Sequence, residues 1–281
     1  MNHPTFSDMN TIDHLLRHSG LPRLEARMLL EAATGYNHAA LLMRGDQCLS
    51  EKQAAQWQQL LARRLAGEPM AYILGNREFY GRPFATTPAT LIPRPETEHL
   101  VEAVLARLPN NGKVWDLGTG SGAIAVTLAC ERPDAAVFAS DISTDALVVA
   151  AANAAALGAE VQFACGSWYQ AFSIEQTGLL DVIVSNPPYI EADDPHLIAG
   201  DLRFEPQNAL TDFADGLSAI RMLAEGAGER LQKGGWLLME HGWNQGTAVR
   251  QILRDNGFTE VATEQDLAGL DRLTLGRWPV V

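Results

Sequence analysis

No window of this sequence approaches the run of about 20 apolar residues that a bilayer span needs, although 47% of its residues are hydrophobic. A soluble chain is expected. Cysteine is scarce as well: Cys48, Cys130 and Cys165 are odd in number and far apart, which suits neither a disulfide framework nor a close-spaced zinc site. The opening residues, MNHPTFSDMNTIDHLL, lack the basic start, apolar core and small-residue cleavage site of a secretory signal, so the cytoplasm is the expected location. Positive charge is also in short supply. The 21 Lys and Arg stand against 34 Asp and Glu, a net charge of −13. Such a field repels phosphate backbones unless a local basic patch overrides it, which counts against a nucleic-acid partner.

What is present reads as two domains, since 281 residues is long for one. From Asn10 to about Gly67 apolar residues recur at three- and four-residue spacing: Ile12, Leu15 and Leu16, then Leu24, Met28 and Leu29, then Trp57, Leu60, Leu61 and Leu65. Ser50 followed by Gln53 forms a capping box for the helix that carries Trp57. A small helical N-terminal domain is therefore expected over residues 1–70. Prolines and glycines then crowd between Glu68 and Pro95, among the extended-looking stretches AYILGNREFYG and TLIP, and predict a β-hairpin connector over 71–98. Residues 99–281 alternate apolar strands with helical stretches, the mark of an α/β domain with a mostly parallel sheet. Strands are expected at 113–116, 136–141, 160–164, 181–185, 235–240, 258–264 and 271–278. Helices are expected at 97–108, 122–131, 144–157, 216–231 and 245–256.

Within that alternation the strand Val114-Trp115 runs into Asp116-Leu117-Gly118-Thr119-Gly120-Ser121-Gly122, and an apolar helix starts at once. A glycine-rich turn between strand and helix admits close approach of a ligand and aims free helix N–H groups at an anion. Its Gly-x-Gly-x-Gly spacing is not the dinucleotide fingerprint; it suits S-adenosylmethionine, which has a carboxylate but no pyrophosphate. Asp141 ends the next strand about 20 residues on, where a carboxylate can accept ribose hydroxyls; its plainer reading is a residue at the start of the following helix. Trp168, in Gly166-Ser167-Trp168 after the strand at 160–164, either stacks on the adenine or closes the core edge.

The most specific segment is Asn186-Pro187-Pro188-Tyr189, which ends the buried strand Asp181-Val182-Ile183-Val184-Ser185. Each proline bars helical geometry at the residue before it and cannot donate a hydrogen bond, so the segment presents carbonyls at the carboxyl end of a strand. An amide or exocyclic amino nitrogen is a poor nucleophile because its lone pair is delocalised. The Asn186 side-chain oxygen and the Pro187 carbonyl can accept its two N–H bonds, orient it and stabilise developing positive charge, while Tyr189 stacks on the planar group. The chemistry so indicated is methyl transfer to such a nitrogen, with no metal and no covalent nucleophile. Read alone, the tetrapeptide could equally be a strand-ending turn.

With those residues in view, the chain resembles the HemK/PrmC family, the release factor glutamine-N5 methyltransferases. The likeness extends through Glu68-Pro69, Arg77-Glu78-Phe79-Tyr80-Gly81, Ile92-Pro93-Arg94-Pro95-Glu96-Thr97-Glu98, Arg203-Phe204-Glu205-Pro206, Glu240-His241-Gly242 and Asp266-Leu267-Ala268-Gly269. It implies a Rossmann-like methyltransferase domain behind a small all-helical N-terminal domain and a β-hairpin. The implied substrate is the glutamine of the Gly-Gly-Gln motif in class I peptide-chain release factors, and the implied products are N5-methylglutamine and S-adenosylhomocysteine. Carried over by motif, Gly118, Thr119, Gly120, Ser121, Gly122, Asp141, Trp168 and Asn186 contact the cofactor. Asn186, Pro187, Pro188 and Tyr189 hold the glutamine amide, with Asn186, Pro187 and Tyr189 catalytic. Ser167 departs from the pattern, since many relatives carry an acidic residue there to meet the adenine amino group. Arg94, Glu96 and Glu98 read either as a cofactor lid or as helix capping, and His241 as a structural histidine.

Two other functions compete. An adenine-N6 or guanine-N2 methyltransferase would use the same tetrapeptide on a flipped base, but it should show a basic groove and a sizeable recognition domain. A non-catalytic cofactor-binding scaffold is disfavoured by the intact loop and tetrapeptide.

Overall fold

The computed structural model describes residues 10–280; residues 1–9, which open the stretch read for a secretory signal, and residue 281 lie outside the described residues. Two compact units divide between Gly75 and Asn76. The first is helical: α1 (Ile12–His18), α2 (Arg23–Thr34), α3 (His38–Met43), α4 (Glu51–Leu65) and α5 (Met70–Leu74). Polar caps set its helix starts. Thr11 accepts the His14 N–H, Asn37 the Ala40 N–H, and the predicted Ser50–Gln53 capping box is formed in both directions. Ile12, Leu29, Leu30, Leu41, Trp57 and Leu60 make the core. Leu24 and Leu65, counted in the apolar periodicity, are instead exposed. The buried face of α2 is Ala26, Leu29, Leu30 and Ala33, and Leu24 lies about 200° around the helix from Ala26.

A second departure is α5. Met70–Leu74 is helical where the AYIL stretch predicts extended chain, with Pro69 at its start and Gly75, at φ +74°, closing it. Five residues are too few for a period to show. The extended part is the hairpin, β1 (Asn76–Phe79) against β2 (Arg82–Ala85), turned by Tyr80 and Gly81 at φ 51° and 71°, the two positive values that match strand twist. The TLIP stretch forms no strand.

The rest of the second unit is a seven-stranded sheet of β3 (Lys113–Leu117), β4 (Ala136–Asp141), β5 (Gln162–Cys165), β6 (Leu180–Ser185), β7 (Leu231–Glu240), β8 (Thr259–Gln265) and β9 (Asp271–Arg277). Their order is β5-β4-β3-β6-β7-β9-β8. The first five are parallel and β9 runs antiparallel to both neighbours. Helices α6 (Thr97–Leu105), α7 (Ala123–Glu131), α8 (Thr144–Leu157), α9 (Ile174–Thr177), α10 (Gln207–Leu210), α11 (Ser218–Ala227) and α12 (Gly246–Asp255) complete the unit. This is a Rossmann-like α/β fold.

Both faces of the sheet centre are covered, which is why β3, β4 and β6 read as mostly apolar runs. Val114, Val182 and Val184 pack in one cluster with Leu100, Val126 and Leu128; Trp115, Leu117 and Ile183 pack in the other with Ile220, Leu223 and Leu253. Each such side chain removed from water contributes roughly 1.5–3 kcal/mol. The helix expected at 216–231 stops at Ala227, because Gly228 lies against the Trp278 ring and β7 begins at Leu231. The chain leaves β3 toward β4 on one side and leaves the adjacent β6 toward β7 on the other, and at such a switch point the carboxyl ends of parallel strands open a crevice.

Candidate active site

Glycine conformation shapes the first wall of that crevice. Gly118, Gly120 and Gly122 all have positive φ. Gly118 and Thr119 donate their N–H groups to the Ser140 carbonyl, pinning the loop to the end of β4. A Cβ on Gly118 would sit 3.5 Å from the Trp168 ring and fill the slot between loop and indole, whereas one on Gly120 would meet nothing. Gly118, Thr119, Gly120 and Ser121 line the cavity so formed. Gly122 does not. It starts α7, and a Cβ there would come within 3.1 Å of the Ala150 and Val126 side chains.

Asp141 closes the second wall. Its Oδ2 accepts the Gly120 N–H and its Oδ1 the Ser143 N–H, both at 2.9 Å. The carboxylate thus braces the glycine loop and also turns the chain into α8, while still lining the cavity. Ser167 and Trp168 line it from the end of β5. Trp168 has φ +44° and, besides lining the cavity, packs against the apolar cluster that contains Trp115. Behind the loop, Asp116 is fully buried. One oxygen accepts the Thr119 hydroxyl at 2.6 Å and the other has no partner, and burial pushes its carboxyl up to about 7. The glycine cradle, the brace and the indole fit a nucleoside-type ligand that bears a carboxylate, such as S-adenosylmethionine.

The tetrapeptide stands where two cavities meet. Asn186 and Pro188 line the first cavity; Asn186, Pro187 and Tyr189 line a second, and Leu91, Arg94 and Ala209 are shared. Sequence reasoning brought these residues to one strand end but did not find what holds them. Asn186 Nδ2 donates to Thr97 Oγ1 at 3.2 Å, and Thr97 Oγ1 donates to Glu240 Oε2 at 2.7 Å. The Tyr189 hydroxyl donates, over a long 3.4 Å, to Glu240 Oε1, and its backbone carbonyl accepts from Gln245 Nε2 at 3.0 Å. Glu240 is buried, and desolvation raises its carboxyl to about 7 against the pull of the Thr97 hydrogen bond and the Arg272 charge. Burial and the Glu240 charge push the Tyr189 phenol well above its ordinary value. The available signal was position: β7 is parallel to β6, so Glu240 ends at the same edge of the sheet as Asn186.

The charged residues from Arg94 to Glu98 divide by role. Arg94 pairs with the buried Glu205 at 2.5 Å, and Glu205 also accepts the Ile92 N–H at 3.0 Å, so one carboxylate ties residues 92–94 to the chain after β6. Glu98 serves the hairpin instead, accepting the Tyr80 N–H. Glu96 makes no side-chain cap bond at α6. His241 is wholly buried between the Gly242 carbonyl and the Thr274 hydroxyl, and burial lowers its pKa, which keeps it neutral and structural.

Residues 10–75 match the PrmC N-terminal domain and residues 95–212 the methyltransferase small domain. The chain is 61% identical over 268 residues to a release factor glutamine methyltransferase of Neisseria gonorrhoeae, covering 95% of this chain and 98% of that one. To its counterpart in Bordetella pertussis it is 52% identical, over 95% and 99% of the two chains. Among solved structures, a methyltransferase from Pyrococcus furiosus shares the fold with a TM-score of 0.56 at 17% identity, over 80% of this chain and 100% of that chain.

Proposed function

The chain belongs to the family of release factor glutamine methyltransferases, and from that premise we propose how its two adjoining cavities act. The reaction is transfer of a methyl group from S-adenosylmethionine to the side-chain amide nitrogen, N5, of the glutamine in the Gly-Gly-Gln motif of class I peptide-chain release factors 1 and 2, which modulates translation termination. The observation that carries this reading is the junction at Asn186, the member of the tetrapeptide that lines both the glycine-loop cavity and its neighbour. S-adenosylmethionine, when bound, supplies a sulfonium-activated methyl group with a good leaving group. Gly118, Thr119, Gly120, Ser121, Asp141 and Trp168 hold it in the first cavity, and Gly122 acts from behind by fixing the loop.

The glutamine amide enters from the second cavity. Asn186 Oδ1 and the Pro187 carbonyl accept its two N–H bonds, which orients the nitrogen and stabilises the positive charge that develops as its lone pair leaves conjugation. Tyr189 limits rotation of the planar group. No base is required, because the methylated nitrogen is strongly acidic and loses its proton readily. The helical unit serves as remote docking surface, since choosing one glutamine among many needs contacts away from the reacting amide. The protein works in the cytoplasm beside its release factor partners. Among the described residues no helix is long and apolar enough to cross a membrane, and the net charge of −13 disfavours a nucleic-acid substrate. The test is transfer of labelled methyl to a purified class I release factor, with mass spectrometry to place it. Label on the motif glutamine, lost when that residue becomes alanine and lost with Asn186→Ala, is expected; label on DNA or RNA but not on release factor refutes the substrate.

A further inference from the structure

An asparagine amide is nearly symmetrical in shape and opposite in polarity at its two ends, so a site that needs its oxygen must prevent a half-turn about the last bond. Asn186 has one side-chain partner that can do so, Thr97 Oγ1, and a hydroxyl can donate or accept. What fixes the hydroxyl lies one residue further. Glu240 Oε2 is 2.7 Å from Thr97 Oγ1, and a carboxylate only accepts. The Thr97 proton therefore points at Glu240, a lone pair is left for Asn186, and only the Nδ2 end of the amide can face it. Oδ1 is turned toward the junction of the two cavities.

We infer that Thr97 and Glu240 are positioning residues for methyl transfer: the Glu240 carboxylate, acting through the Thr97 hydroxyl, sets which end of the Asn186 amide meets the substrate nitrogen. This inference rests on the methyl-transfer reading above. The other carboxylate oxygen takes the Tyr189 hydroxyl, so one buried group orients both ends of the tetrapeptide. Were Glu240 protonated, the chain of donors would reverse. The acid would donate to Thr97, Thr97 would donate to Asn186 Oδ1, and Nδ2 would confront the N–H groups of the substrate.

The charges that decide between these states come from several elements. Arg272 on β9 favours the carboxylate, although it also pairs with Asp266 at 3.2 Å; Glu96, just before α6, opposes it. Tyr189 and Thr97 donate to it, while His241, the next residue after the strand, is turned toward Thr274. Burial outweighs the attraction and lifts the carboxyl to about 7, so the polarity of the relay changes within an accessible pH range.

The experiment uses the full chain with an intact class I release factor, measuring kcat, KM for S-adenosylmethionine and the pH profile for wild type, Thr97→Val, Thr97→Ser and Glu240→Gln. Thr97→Val is expected to lower kcat about 10- to 100-fold with KM for the methyl donor unchanged, and Thr97→Ser to stay near wild type. Wild-type rate should fall as pH drops through the range where Glu240 takes up its proton. That acid limb should be absent in Thr97→Val and in Glu240→Gln, whose amide oxygen can accept from Thr97 at every pH. A Thr97→Val enzyme with wild-type kcat, or with the same acid limb, overturns the inference. If Thr97→Val does not fold, Glu240→Gln decides: persistence of the limb overturns it. Failure of wild type to methylate release factor sinks the functional reading itself. Loss of activity in Asn186→Ala beside an unaffected Thr97→Val sinks only the relay.

Discussion

Replacing Asp116 by asparagine is expected to remove a pH dependence of stability that this one carboxyl imposes. Asp116 has no exposed surface, one of its oxygens is paired with Thr119, and the other is orphaned. Its carboxyl consequently titrates at about 7 in the folded chain, against 3.8 when unfolded, with burial as the main cause and the nearby Asp141 charge adding to it. The sign follows from proton binding. Below 3.8 both states are protonated and no difference arises. Between the two values the unfolded chain ionises and the folded chain does not, so stability falls as pH rises. Above about 7 both are ionised and the loss is complete. Each pH unit of that window is worth about 1.4 kcal/mol, which makes the full loss about 4 kcal/mol. Asparagine keeps an oxygen for the Thr119 hydroxyl and has no charge to bury. Urea unfolding of both proteins at about pH 5 and about pH 8 isolates the contribution, because Glu240 and every other titrating group cancel in the comparison. Wild type should lose about 3 kcal/mol more than Asp116→Asn over that interval. Equal losses would refute the reasoning by showing Asp116 ionised throughout, with its orphaned oxygen satisfied.

Asp141→Asn should raise the Kd for S-adenosylmethionine about tenfold while leaving global stability within about 1 kcal/mol, because one of the two braced N–H groups loses its oxygen; isothermal titration gives the first number, and unchanged affinity would deny the brace a role in binding. Gly122→Ala should destabilise by about 1–3 kcal/mol through a strained positive φ and the 3.1 Å approach to Ala150 and Val126. Thermal melting checks that value, and a neutral result would mean the start of α7 yields easily. Arg94→Ala should cost about 3–5 kcal/mol by leaving the buried Glu205 carboxylate without its cation. Melting at neutral pH reads the loss, and wild-type stability would show that the Ile92 N–H alone satisfies Glu205.

Legibility differed between fold and site for a physical reason in each case. The central strands of the α/β unit were readable because helices cover both sheet faces there, so β3, β4 and β6 had to be mostly apolar, and the expected 136–141 and 144–157 coincide with β4 and α8. Met70–Leu74 was not readable as a helix: a single turn held between a proline and a left-handed glycine carries no period. Leu24 and Leu65 show the converse, apolar residues at near-helical spacing that fall off the buried stripe. Of the site, the glycine loop, Asp141, Trp168 and the tetrapeptide could be placed because each follows a strand and all parallel strands end at one edge.

The alternation of elements, the glycine turn after β3 and the proline-stiffened segment after β6 are local consequences of backbone freedom and apolar pattern along the chain. Only the tertiary structure decided what surrounds Asn186. Thr97 lies 89 residues before it and Glu240 lies 51 residues beyond Tyr189, and their hydrogen bonds exist because β6 and β7 pair in parallel and α6 starts at the same sheet edge. Hydroxyl and carboxylate acquire their roles from burial and from one another. Neither property is written in the residues near them in the chain.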